Sequence, residues 1–148
     1  MAAVATPTKA SPIGERFTLI GKLGSGHRGE VWLATDATTG RRVALKRFRD
    51  SGREAPDLRR RIMHEYLVHT RIGPHRHIVD VYERVESPTD VAFVMEYVEG
   101  LTLGELMKRC ARDKTPIGAR EAAVLAAQIL DALARLHSIQ IVHRDVKP

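Results

Sequence analysis

The chain has 148 residues, and its 24 Lys and Arg against 18 Asp and Glu give a formal net charge of +6. This length is typical of one domain with a hydrophobic core, and a hydrophobic share of 43% with 28% charged residues excludes wholesale disorder. The longest unbroken apolar run covers residues 122–127, far fewer than the roughly 20 residues that a transmembrane helix needs. The sequence therefore predicts no membrane span.

The single cysteine and the excess of basic residues give information on the location and partners of the protein. Cys110 alone cannot form an intramolecular disulfide or a cysteine-based zinc cage, which predicts a reducing, cytoplasmic compartment. The densest basic cluster, at residues 59–61, lies on a predicted amphipathic helix and is best explained as its solvated face. Because aromatic residues make up only 5%, we expect no specific nucleic-acid partner.

The first half of the chain predicts a leader followed by an antiparallel meander. Residues 1–14 lack an apolar period and predict a flexible leader. Alternating apolar residues from Phe17 predict a first strand, and residues 30–34 a second. The hairpin-type segment 38–40 then leads into a third strand at residues 42–48.

The second half predicts three helices and two further strands. Apolar spacings of three to five predict a helix from Pro56 to Ile72, which Gly73 and Pro74 would end. Residues 78–85 and 91–98 predict two strands around a turn. Residues 103–112 predict a short helix, and Thr115-Pro116 the start of a longer one. The element order predicts an α+β fold.

A glycine-rich segment, Gly24 to Gly29, has the pattern G-x-G-x-x-G. In a dinucleotide-binding fold this pattern would open a helix, but here the following residues alternate as a strand. The glycines therefore predict a loop between two strands whose backbone amides can approach a polyphosphate. A hairpin with no ligand is the alternative.

Ala44 and Lys46 share one face of the third predicted strand, since side chains alternate along a strand. The small Ala44 leaves room for a flat ring, and Lys46 can reach phosphate oxygens. An ordinary lysine that extends its ammonium into solvent is the alternative. Its position after the glycine loop favours a role in phosphate binding.

These motifs resemble those of the eukaryotic-type serine/threonine protein kinase family, in its bacterial-like form. The resemblance rests on the glycine loop 24–31, the Val-Ala-Leu-Lys strand 43–46, the hinge-like segment 94–100 and the His-Arg-Asp-Val-Lys-Pro segment 143–148. It implies a small lobe with a five-stranded antiparallel sheet and one helix at residues 15–95. A hinge at 96–101 and the first helices of an incomplete helical lobe at 102–148 would follow.

The resemblance also implies an ATP site. Lys46 would hold the α- and β-phosphates and pair with Glu65, the acidic residue well inside the following helix. Met95 would occupy the gatekeeper position, and Glu96 and Val98 would offer backbone hydrogen bonds to adenine. The implied ATP-contacting residues are Leu23, Gly24, Ser25, Gly26, Gly29, Val31, Ala44, Lys46, Met95, Glu96 and Val98.

Catalysis is implied for the last segment of the sequence. Asp145 would accept the proton of a serine or threonine hydroxyl on a protein substrate, and Lys147 would neutralise charge on the transferring phosphoryl group. His143 would be a scaffold, and Arg144 would suit phosphate-dependent regulation. Gln140 stands where the family usually has glycine, which would cost stability if φ is positive there.

The family's magnesium ligands, an asparagine and the Asp-Phe-Gly aspartate, would come after Pro148, so no metal ligand is predicted in this chain. On that basis the interpretation is an ATP-binding portion of a protein kinase that does not transfer phosphate alone. A non-catalytic nucleotide-binding or docking module is the alternative.

Overall fold

The computed structural model describes residues 13, 15–26, 29–49, 55–87 and 90–147. The strands are β1 (Phe17–Gly26), β2 (Gly29–Asp36), β3 (Arg42–Arg49), β4 (Val81–Glu86) and β5 (Asp90–Glu96), and the helices are α1 (Ala55–Ile72), α2 (Leu103–Asp113) and α3 (Ala119–Ser138). The strands form one antiparallel sheet in the order β1-β2-β3-β5-β4. The predicted α+β fold, with five strands and one helix before two further helices, is confirmed.

Both faces of the sheet are apolar, because alternate residues of β3 and β5 enter two different cores. Val43, Leu45 and Val94 belong to the first core, which also contains Phe17 and Leu19 from β1. Burial of each such aliphatic side chain stabilises the folded state by about 1.5–3 kcal/mol. Ile13 is buried in this core as well, so it is part of the fold rather than of a flexible leader.

The second core joins the sheet to α1. Phe48 and Phe93 pack edge to face with ring centroids 5.0 Å apart, and Ile62 of α1 is buried against them. Tyr66, one turn further along α1, brings its ring centroid within 5.9 Å of Phe93. This packing fixes α1 against the sheet face that also carries Lys46.

An ion-pair network ties the start of β1 to the end of β2 and to β4. Arg16 donates from Nε and Nη2 to the two carboxylate oxygens of Asp36, at 2.8 Å each, and from Nη2 to Glu83 at 2.6 Å. Asp36 also accepts from Thr38 N and Thr39 Oγ1. The Arg16 guanidinium holds the pKa of Asp36 well below its usual range, with smaller help from the Thr38 amide.

The chain divides into two compact units, residues 1–73 with 79–98 and residues 74–78 with 99–148. In the second unit, Thr102 and Glu105 form a reciprocal capping box at the start of α2. Lys114 ends α2 in a left-handed conformation with φ 52°. Among the described residues, no helix is both long and apolar enough to cross a bilayer.

Several predicted boundaries differ from the structure, and three of these differences concern the later elements. The fourth strand begins at Val81 rather than at residue 78, because Ile78 N–H donates to His75 O in a tight turn. The fifth strand ends at Glu96 rather than at residue 98. The long helix begins at Ala119 rather than at Thr115, whose N–H bonds to Cys110 O and completes the end of α2.

Candidate active site

The glycine loop lies at the turn end of the β1–β2 hairpin. Gly24 pairs with Val31, Ser25 with Glu30 and Gly26 with Gly29, while residues 27 and 28 at the loop tip lie outside the described residues. Gly24, Ser25 and Gly26 are exposed. Because a Cβ atom at Gly24 or Gly26 would meet no atom within 4 Å, the strand beside the loop is open to a ligand.

Gly29 has a different role from the other glycines of this loop. Its φ of +136° disfavours any L side chain, and a methyl group there would overlap the carbonyl oxygen of Arg47. The backbone of the loop therefore lies directly against β3, the strand that carries Lys46. Glycine is required here for close approach between two strands.

The register of the sheet places four predicted ATP-contacting residues on one face. Val31 lies opposite Lys46 across the β2–β3 pair, and Ala44 lies opposite Met95 across the β3–β5 pair. Directly opposite residues share a face, and so do Ala44 and Lys46, two positions apart. Leu23 is 48% exposed and comes just before Gly24, where a β-bulge interrupts the register.

The side chain of Lys46 is held in position from two sides. Its Nζ lies 2.5 Å from Glu65 Oε1 on α1, and 5.1 Å and 5.9 Å from the ring centroids of Phe48 and Phe93. Both charged side chains are about a quarter exposed, at 27% and 28%. His69 lies one helical turn after Glu65. Burial lowers the pKa of His69; the charge of Glu65 raises this pKa, and the charge of Lys46 lowers it. Burial therefore favours the neutral form of the His69 imidazole.

The predicted hinge begins at Glu96, the last residue of β5. The Glu96 N–H donates to Asp80 O at 2.9 Å, and the Asp80 N–H donates to Glu96 Oε2 at 3.3 Å. A contact from Glu96 to adenine would therefore use its carbonyl oxygen. Val98, which is 61% exposed, lies beyond the sheet.

The predicted catalytic residues belong to the second unit and follow the end of α3. Lys147 Nζ donates to Asp145 Oδ2 at 2.8 Å, and both side chains are 70% exposed. The Asp145 N–H donates to His143 Nδ1 at 3.3 Å, and Arg144 has a φ of 63°. The local conformation therefore places the Asp145 carboxylate, which can accept a proton, beside the Lys147 ammonium group.

The donor groups of the first unit are suited to a nucleoside triphosphate. An open glycine-rich strand, a fixed ammonium group and the small Ala44 lie on or beside one sheet face, and phosphate oxygens are suited to ammonium and backbone N–H donors. No magnesium ligand is assigned within the described part of the chain. The ATP-contacting roles of the individual residues stay predictions.

One cluster was not predicted from the sequence. His75 and His77 lie beside Asp131, and one ligand atom from each residue lies within 4.8 Å of the others. The histidine spacing alone gives no metal motif, because the third member comes from α3, 54 residues after His77. The cluster could have been identified only from knowledge that the 75–78 turn contacts α3.

Comparison with known proteins adds sequence relationships to this geometry. A family model described as the protein kinase domain matches residues 17–148. Among similar curated proteins, serine/threonine-protein kinase PrkC of Bacillus subtilis is 35% identical over 136 residues, covering 92% of this chain and 20% of that protein. Serine/threonine-protein kinase PknD of Chlamydia pneumoniae is 34% identical over 143 residues, covering 90% and 15%. The chain therefore spans about a fifth or less of the length of these relatives.

Proposed function

Because the chain belongs to the serine/threonine protein kinase family, we propose that it takes part in ATP-dependent phosphorylation of serine and threonine hydroxyls on proteins. The first unit would bind ATP, and the second would supply the catalytic aspartate. The observation that carries this proposal is the Lys46–Glu65 ion pair on the sheet face that also carries Val31, Ala44 and Met95.

The first unit would bind and orient the nucleotide. Lys46 would donate to phosphate oxygens, and Glu65 would keep the ammonium directed toward the glycine loop rather than into solvent. Val31, Ala44 and Met95 would form an apolar surface against the adenine ring, with Leu23 as a further apolar contact. This apolar-plus-cationic arrangement is typical of small-molecule sites in which few polar groups determine orientation.

The second unit would act on the substrate hydroxyl. ATP with Mg²⁺ supplies the phosphoryl group when bound. Asp145 would accept the hydroxyl proton, and Lys147, 2.8 Å from it, would keep the local charge balanced while negative charge develops on the transferring group. Their high exposure is suited to a residue pair that must reach a protein substrate.

The domain limits and location are part of the same proposal. A small lobe at residues 15–95, a hinge at 96–101 and the beginning of a large lobe at 102–148 are supported by the division of the chain between Val98 and Glu99. The single Cys110 supports a reducing, cytoplasmic location. Ser- and Thr-containing proteins are the proposed partners.

Titration of the 148-residue chain with a fluorescent ATP analogue tests the nucleotide site. We expect Lys46→Ala to weaken binding at least about 10-fold, since a charge-assisted hydrogen bond to phosphate is worth roughly 1.5–3 kcal/mol. Lys108→Ala, which removes an equal charge from α2, should leave the dissociation constant unchanged. Equal affinity of the native chain and Lys46→Ala would contradict the ATP site and favour a docking role.

A second variant separates binding from chemistry. In any preparation of the protein that phosphorylates a general protein substrate, Asp145→Asn should lower kcat by about 10²–10⁴-fold, the usual contribution of a positioned general base. The affinity for the ATP analogue should stay the same, because Asp145 is assigned to the hydroxyl and not to the nucleotide. A variant with native kcat would remove Asp145 from the mechanism.

A further inference from the structure

A cluster of two imidazoles and one carboxylate lies in the second unit and contains none of the residues assigned to ATP or to the substrate hydroxyl. His75 and His77 flank Arg76 in a tight turn that the Ile78 N–H closes by donating to His75 O at 3.0 Å. The two rings are edge to face with centroids 5.9 Å apart. Asp131 reaches the same point from α3.

The distances within this cluster are close to those of a metal site. Asp131 Oδ2 lies 2.8 Å from His77 Nδ1 and 3.4 Å from His75 Nε2, and all three ligand atoms lie within 4.8 Å of one another. Zinc bonds of about 2.0–2.1 Å in a tetrahedron place neighbouring ligand atoms roughly 3.4 Å apart. Small side-chain rotations would therefore bring the three atoms to that spacing. We propose that His75, His77 and Asp131 bind a divalent transition-metal ion, Zn²⁺ by their ligand chemistry.

The donor set selects the class of ion. Imidazole nitrogen suits zinc and its neighbours in the first transition row, whereas Mg²⁺ and Ca²⁺ favour all-oxygen shells. The two histidine side chains are mostly buried, at 18% and 19% exposed, while Asp131 is 52% exposed. Three protein ligands with one side toward solvent leave a fourth position for water. Arg76 is exposed, so water screens its charge.

Coordination requires the ring proton of each histidine to move. At present the His77 N–H donates to His75 Nδ1 at 3.2 Å, which leaves the ring proton of a neutral His75 on Nε2. Binding through Nε2 moves that proton to Nδ1, so the long hydrogen bond is exchanged for a metal–nitrogen bond. His77 Nδ1 donates to the Asp131 carboxylate at 2.8 Å, so binding through Nδ1 moves the ring proton of a neutral His77 to Nε2 in the same way. No oxidation or bond cleavage is involved.

The ion would connect two segments that are distant in sequence. It would tie the turn at residues 75–78 to the middle of α3, 54 residues later. A ligand that binds the folded state and not the unfolded state raises stability by mass action. The ion is therefore expected to stabilise the second unit as a structural metal, with no part in ATP binding or in the role of Asp145.

Zinc titration of the metal-free 148-residue chain tests the proposal, with a fluorescent zinc chelator as competitor. We expect one Zn²⁺ per chain and at least 10-fold weaker binding in His77→Gln and in Asp131→Asn. His137→Gln, which removes an exposed histidine from the same helix, is the matched control and should bind as the native chain does. Native affinity in both cluster variants would overturn the site.

Two measurements on the native chain do not depend on any variant folding. Co²⁺ should give a visible absorption band of the tetrahedral type, and saturating Zn²⁺ should raise the melting temperature relative to the chain in a chelator. Absence of saturable Co²⁺ and Zn²⁺ binding to the folded native chain would overturn the proposal. Binding of ATP would not be affected in either case, so this failure is distinct from failure of the kinase assignment.

Discussion

The ammonium of Lys46 and the carboxylate of Glu65, 19 residues apart, lie 2.5 Å from each other on the sheet face covered by α1. The pair is about three-quarters buried and also contacts the rings of Phe48 and Phe93. Partial burial strengthens the attraction relative to a surface pair, but desolvation opposes it. We expect a coupling free energy of about 1 kcal/mol between the two residues.

A double-mutant cycle measures this coupling. Urea unfolding of Lys46→Met, Glu65→Gln and the double variant should show that the double change destabilises by less than the sum of the single changes. The cycle Lys46→Met with Glu105→Gln is the control, since Glu105 caps α2 in the other unit, and its effects should be additive. Additivity in both cycles would show that the ion pair contributes nothing measurable.

The Arg16–Asp36 pair predicts an acid-sensitive component of stability. The pKa of Asp36 is lowered in the folded state, first by the hydrogen bonds from Arg16, whereas its unfolded value is about 3.9. Asp36 therefore stabilises the fold fully above that value, and this contribution is lost as the pH falls below about 4 toward the folded pKa. Asp36→Asn should cost about 2 kcal/mol at pH 7.

The pH dependence distinguishes this charge effect from simple loss of packing. The difference in free energy of unfolding between the native chain and Asp36→Asn should be constant above about pH 5 and shrink as acid protonates Asp36. Asp113→Asn, at an exposed carboxylate of α2, should show only a small difference at any pH. A difference for Asp36→Asn that did not change with pH would contradict the assignment.

Gly29 and Gly26 face each other across the β1–β2 hairpin but should respond differently to alanine. At Gly29, a φ of +136° and overlap with Arg47 O predict a loss of about 2 kcal/mol or more. At Gly26 there is open space and no unusual φ, so the change should be within about 0.5 kcal/mol. Thermal or urea unfolding of the two variants makes the comparison, and equal destabilisation would show that Arg47 O moves aside.

The elements with a strong local signal could be predicted from the sequence. The alternation around Val43 and Leu45 placed Ala44 and Lys46 on one face, and the sheet register agrees. Glu65 could be placed opposite Lys46 only through the family resemblance, since no local period links a strand residue to a helix residue that far along the chain. The element boundaries were predicted less accurately. Ile78 belongs to the turn at His75, and Thr115 completes the end of α2, although the sequence pattern had assigned each of them to the element that follows.

Contacts between distant segments could not be predicted at all. The Arg16–Asp36–Glu83 network joins three strands, and the His77–Asp131 contact joins a turn to a helix. Each depends on tertiary packing, which determines which polar residues meet and is not encoded in spacing along the chain. This is why the proposed zinc ligands carry no recognisable motif.

Gln140 predicts a stabilising substitution. It lies at the end of α3 with a φ of 60°, where the Gln140 N–H bonds to His137 O and the Ile141 N–H bonds to Leu136 O. These two bonds form a Schellman motif, whose left-handed residue is usually glycine because other L residues are strained by about 1–2 kcal/mol. Gln140→Gly should therefore raise the free energy of unfolding by about 1 kcal/mol.

The control for this substitution keeps the strain while removing the polar side chain. Gln140→Ala retains a Cβ atom and should stay within about 0.5 kcal/mol of the native chain in urea unfolding. If glycine and alanine stabilised equally, the gain would come from loss of the glutamine side chain and not from backbone relief. If glycine destabilised, the greater freedom of the unfolded chain would outweigh the relief of strain at this helix end.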